Sequence, residues 1–161
     1  MMLSRVADNL YWMSRYMERA ENTARIVDVY LNLILDLPVG IQTNHQQMNL
    51  LESLQTELPP DHDSNDFQDF IYDLTFSETQ QQSVMASIAS ARENARQIRE
   101  HISSEMWLHL NRFYLELKKG NKGHNYSVEP HDFYMAVKLD SHLFQGVNDA
   151  TMHHNQAWHF I

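Results

Sequence analysis

Two rows of charged and amide side chains recur at helical spacing in this 161-residue chain and could act together. The first is Asp8, Tyr11, Arg15, Glu18, Asn22 and Arg25, stepping by three and four along one stripe of a helix. The second is Glu93, Arg96, Glu100 and Ser103, flanked by Arg92 and Arg99, and its Arg92-Glu-Asn-Ala-Arg96 echoes Glu21-Asn-Thr-Ala-Arg25. On a solvated face such rows are Glu/Arg pairs contributing about 0.2–0.5 kcal/mol each, the reading that spacing alone favours. Enclosed between helices, the same residues must be paired fully with one another or with an anionic ligand, because an unpaired buried charge is costly. Arginine forks suit a carboxylate or a phosphate. Trp12, Tyr16, Arg19, Ile26 and Tyr30 line a flank of the first segment that is too aromatic for open water, which suggests cover on more than one side.

Ten histidines raise the question of a metal. The best constellation is His101, Glu105 and His109, but three ligands at successive turns of a straight helix span roughly 12 Å, so at most one adjacent pair could share an ion. No Glu-x-x-His step occurs, which counts against a ferritin-like di-metal bundle. His153-His154 and Asp61-His-Asp63 read as polar surface. No metal ligand and no cofactor is therefore assigned. Zero cysteines exclude disulfides, thiolate metal sites and a cysteine nucleophile. There is no Gly-x-Ser-x-Gly elbow, and glycines scattered at 40, 120, 123 and 146 make no phosphate-binding loop. No autonomous catalytic group stands out.

The elements that must position these residues are helical. Leu3, Val6, Leu10, Met13, Met17, Ala20, Ala24, Val27, Leu31 and Ile34 form a heptad seam, which predicts a helix near 4–36, begun at Ser4 and stopped by Leu37-Pro38 and Gly40. A shorter helix is expected near 43–58, ending at Pro59-Pro60, and another near 67–76 after a polar linker. Val84, Ile88, Ala91, Ala95, Ile98, Ile102, Met106, Leu110, Phe113 and Leu117 predict a second long helix near 79–118, with Ser103-Ser104 as the place where it would kink or divide. Ser127 ahead of Glu129-Pro130 opens a last helix near 129–152. No segment alternates with period two for long. The fold class is all-α, a left-handed helical bundle forming a single domain over 1–161.

Net charge is −9 and unevenly spread: residues 37–91 hold 8 acidic side chains and no basic one, whereas 92–123 hold 7 basic and 4 acidic. An acidic chain whose basic residues alternate with glutamates would be repelled by a phosphate backbone, so nucleic acid is not an expected partner. Charges throughout the first thirty residues break any signal-like or membrane-spanning stretch, and a cytoplasmic location without membrane contact is the expectation.

The opening Met2-Leu-Ser-Arg-Val-Ala-Asp-Asn-Leu-Tyr-Trp-Met-Ser-Arg-Tyr-Met-Glu-Arg-Ala-Glu-Asn-Thr-Ala-Arg25 closely resembles the start of the bacterial alpha-E domain family. Ser90 to Trp107 with Leu110-Asn-Arg-Phe-Tyr114 resembles that family's second block, and Asp149-Ala-Thr-Met152 with Trp158 and Phe160 its third. The resemblance implies an all-helical protein usually encoded beside an atypical ATP-grasp amide ligase and a transglutaminase-like protein, hence an accessory or interaction module in peptide synthesis or modification with either as partner. Motif matching carries over Arg5, Asn9, Arg15, Glu18, Arg19, Asn22 and Arg25, and then Arg92, Glu93, Asn94, Arg96, Arg99, Glu105 and Trp107. As ligand- or partner-binding residues it points to Arg15, Glu18, Arg19, Asn22, Arg25, Arg92, Asn94, Arg96, Arg99 and Glu105. Trp158-His-Phe160 resembles the opening of a second copy of the first helix, so the sequence is expected to be the first half of a duplicated protein whose missing half a second molecule could replace, giving a homo-oligomer. Two alternatives remain: an enzyme subunit holding a carboxylate or phosphate substrate on its Arg/Glu rows, and a metal-binding bundle.

Overall fold

The computed structural model describes residues 4–36, 49–50, 52–53, 67–122 and 130–151. Five helices are delimited there: α1 (Ser4–Leu35), α2 (Phe67–Phe76), α3 (Val84–Gln97), α4 (Ser104–Lys122) and α5 (Pro130–Thr151). Asn49, Leu50, Glu52 and Ser53 are also helical, and no strand occurs among the described residues. The rest of the helix expected near 43–58 and the Ser127 cap lie outside them. No helix is long and apolar enough to cross a membrane among the described residues.

The heptad seam of α1 is its buried stripe: Val6, Leu10, Met13, Met17, Ala20, Ala24 and Val27 are all in the core. α1 packs most extensively on α3 and next on α5, while α4 closes the ring by packing on both α3 and α5. The result is a four-helix bundle, with the short α2 laid against α3, α1 and α4. α1 and α3 both bring alanines to the core, Ala20 and Ala24 on one and Ala91 and Ala95 on the other, which lets helix axes approach closely. Where α2 meets α5, Thr75 donates to the Ile71 carbonyl at 2.7 Å, so the buried Tyr134 hydroxyl, 2.6 Å away, is the donor to Thr75.

The long helix expected near 79–118 is two helices. Ile98 leaves helical dihedrals at φ −119° and ψ 27°, its N–H bonds to Ala95 O at 3.2 Å, and His101 N–H bonds to Ile98 O at 2.8 Å. Chain direction is reset over residues 98–103, and Ser103 starts α4 by accepting the Met106 N–H at 3.1 Å. Ile98, Ile102 and Met106 stay buried across the break, so the hydrophobic period runs on through it. The start also moves inward, to a fully buried Ser83 whose hydroxyl accepts Ala86 N–H at 3.0 Å and donates to Ser77 O. Replacing that cap leaves a buried helix N-terminus short of a partner. Ser83→Ala is expected to lower the unfolding free energy by about 1–2 kcal/mol in a urea titration.

Candidate functional site

With its apolar stripe turned inward, α1 carries its polar row on the other side. Arg15, Glu18, Arg19, Asn22 and Arg25, five residues singled out by spacing and motif, line one open groove of about 290 Å³. Its far wall comes from Ser53 and Gln82, each tied to α1. Thr23 donates to the Gln82 carbonyl at 3.1 Å. Ser53 donates to Asn49 O at 2.8 Å, so Tyr30, 3.0 Å away, donates to the Ser53 hydroxyl.

The charges within the groove are unequal in what they have left to offer. Arg15 is paired with Glu18 one turn on, and Arg25 with Glu21 one turn back. Arg19 differs. Its guanidinium lies 5.3 Å from the centre of the Tyr16 ring, and no carboxylate of the described residues is within ion-pair reach of it. Stacking occupies the face of the guanidinium and leaves its N–H edge available. Arg19 also lines a second groove, of about 360 Å³, whose other walls include Tyr16, Glu78, Thr79 and Glu93.

The second row does not join this site as a unit. Glu93 reaches the second groove, and Arg96 holds it through two bonds of 2.8 and 2.7 Å. That fork keeps the Glu93 carboxyl below the usual carboxylate range. Arg92 turns to α4, where its Nε donates to Asn111 at 2.8 Å and its guanidinium lies 4.8 Å from the Tyr114 ring centre and 5.5 Å from that of Trp107. Arg99 stacks on the other side of this ladder, 5.8 Å from Trp107, and Lys118 ends it 5.6 Å from Tyr114. Asn94 bonds to its own helix at Ser90 O, 2.8 Å. Glu105 is exposed in the first turn of α4.

The break at 98–103 also separates the histidine constellation. His101 sits exposed in the turn, whereas His109 is buried on α4 with Nε2 2.9 Å from the Asp140 carbonyl. A carbonyl only accepts, so Nε2 carries the proton and Nδ1 accepts from Arg112 at 3.3 Å. The imidazole ties α4 to α5. Among the described residues no three His, Asp or Glu side chains are grouped to hold a metal.

Sequence reasoning missed the polar contact between α1 and α5. Asp28, only 5% exposed, accepts from His131 Nδ1 at 2.7 Å and Lys138 Nζ at 2.8 Å. Glu21, 8% exposed, bonds His142 Nε2 at 3.3 Å as well as Arg25. Burial would raise the Asp28 pKa, but hydrogen bonds and charge from Lys138 and His131 overcome it and hold the carboxyl below its ordinary value. Asp140 goes the other way: burial raises it, reinforced by Glu116 and only partly offset by His109 and Arg112. A signal existed, since Glu21 and Asp28 are one heptad apart on α1 and His131 and Lys138 one heptad apart on α5.

The family model described as Alpha-E, a predicted alpha-helical domain with a conserved ER motif, matches residues 2–161. A Glu-Arg step occurs once in the sequence, at Glu18-Arg19 in the middle of the first groove. No curated protein and no solved structure matches the chain.

The sites of buried Asp28 and half-buried Asp140 should respond oppositely to the loss of one charge. Lys138→Met leaves Asp28 with the exposed His131 alone and is expected to destabilise the fold by about 3 kcal/mol at neutral pH. Asp140→Asn removes a charge that burial disfavours and is expected to leave stability unchanged or raise it. Because the folded pKa of Asp28 is depressed, its contribution is complete above 3.8, the ordinary value, and disappears as pH falls through the lower folded value. Urea titrations at neutral pH and across the acid range check both signs.

Proposed function

The chain belongs to the Alpha-E family, and from that premise we propose that it works as a helical interaction module whose recognition face is the α1 groove. Arg19 is the residue that grips an anionic group, a carboxylate or phosphate, presented by a partner. The observation carrying this reading is the guanidinium of Arg19, stacked on Tyr16 and unpaired among the described residues while both neighbouring arginines are engaged. The partner in this proposal is an ATP-grasp ligase or a transglutaminase-like protein, and the setting is amide-bond synthesis or modification, as the family resemblance implies.

Binding fits the groove better than catalysis does. Its own carboxylate, Glu18, is taken by Arg15, and the Thr23 hydroxyl proton goes to the Gln82 carbonyl. A ligand there would meet positive charge and amide or guanidinium donors, with neither an activated nucleophile nor a placed general base among the described residues. The enzyme-subunit alternative would need such a group from elsewhere.

A pull-down of the tagged protein from extracts of its own source at moderate salt, read by mass spectrometry, tests the proposal. An ATP-grasp ligase or transglutaminase-like protein should be recovered by the wild type and by Lys119→Ala, an exposed cation of α4 outside both grooves, and lost with Arg19→Ala. Recovery of no such protein, or equal recovery by Arg19→Ala, would overturn it.

A further inference from the structure

The two grooves that meet at Arg19 differ in charge. On one side stand Arg15 and Arg25, with one carboxylate, Glu18, and the side chains of Asn22 and Gln82, and on the other Glu78 and Glu93 with the ring of Tyr16. Arg19 is common to both. We propose that they form one site for a zwitterion, an amino acid or short peptide whose carboxylate rests on Arg19 and whose ammonium group lies on the Glu78 and Glu93 side. This inference rests on the reading of Arg19 given above and adds the class of ligand.

Three observations support it. The first is the availability of charge on each side. The free N–H edge of Arg19 can receive a carboxylate. Glu93, locked by Arg96, stays ionised and retains lone pairs beyond the two it gives to the fork, while Glu78 has Lys118 at a loose 3.9 Å. An ammonium approaching them would also meet the face of Tyr16, which attracts cations.

The second is the field of the whole chain. At a net charge of −9 the protein repels polyanions, so a nucleotide or multiply phosphorylated ligand approaches against it. A zwitterion has no net charge, and each of its ends finds an opposite charge here. The third is the wall between the grooves. The segment from Ser77 to Ser83 supplies Thr79 and Gln81 to one groove and Gln82 to the other. Such a wall offers donors and acceptors to a peptide backbone crossing from one groove to the other.

The test is a binding titration followed by NMR, using trialanine, N-acetyl-trialanine and trialanine amide as probes. Trialanine is expected to bind roughly tenfold or more tightly than either blocked form, the usual weight of a hydrogen bond to a charged group. The cost of amidation should vanish in Arg19→Gln, and the cost of acetylation in the Glu78→Gln, Glu93→Gln double variant. All these positions lie at the surface or half-buried, and a thermal melt of each variant verifies folding. If acetylated and free trialanine bind the wild type equally while Arg19→Gln weakens both, the zwitterion inference falls and carboxylate recognition by Arg19 stands. If none of the three probes binds at Arg19, the zwitterion inference falls with it, and the pull-down then decides separately whether Arg19 meets a protein partner.

Discussion

A 32-residue helix is roughly 48 Å long, more than any other described helix can cover alone. α1 has an apolar stripe over nearly all of that length, and leaving it wet would remove the main driving force for folding. The remaining described helices are arranged around this need. α3, at 14 residues, contributes the closest packing through small residues on both sides, and α5 takes the adjoining side. α4 is held off α1 and instead buttresses the pair that covers it. The turn at 98–103 makes this possible: a straight continuation of α3 would run on past the bundle, whereas a change of direction brings Met106, Leu110 and Phe113 back over the same core.

The α1–α5 contact shows a second consequence. Covering α1 with α5 encloses two carboxylates, Glu21 and Asp28, whose isolation from water would be prohibitive without partners. Lys138, His131 and His142 supply them from matching turns of α5. Such pairs contribute little net stability compared with apolar side chains of the same size, but sliding α5 by one turn would take Lys138 away from Asp28. Their effect is on register: the apolar seam brings α5 to α1, and the acid-base ladder permits one alignment. His109 does the same between α4 and α5 through its bond to the Asp140 carbonyl.

Much of this was legible in the residues, and the failures have identifiable causes. The seam of α1 and the limits of α2 follow from apolar spacing and from prolines or capping residues, which are local signals. The break between α3 and α4 is invisible to periodicity because Ala95, Ile98, Ile102 and Met106 keep the helical phase through the turn, and only Ser103 as a cap marked it. The five α1 residues of the groove were readable because helical spacing alone puts them on one stripe. Arg92 and Arg99 were read as flanks of the second polar row, but their surroundings are decided by Trp107 and Tyr114 on another helix. The α1–α5 ladder needed knowledge of which helices touch before two heptad spacings could be matched.

The groove around Arg19 is what remains once α1 has been covered from two sides. Two of the groove's arginines are neutralised by a carboxylate one turn away: Arg15 by Glu18, Arg25 by Glu21. Arg19 follows Glu18 directly, and adjacent residues on a helix point about a quarter-turn apart, so Glu18 cannot serve both arginines. Tyr16, three residues back, lies beneath the Arg19 guanidinium and offers a ring in place of a carboxylate. The Glu-Arg step thus assigns unlike tasks to its members: the acid settles the arginine before it, and the arginine after it keeps its charge available in the groove.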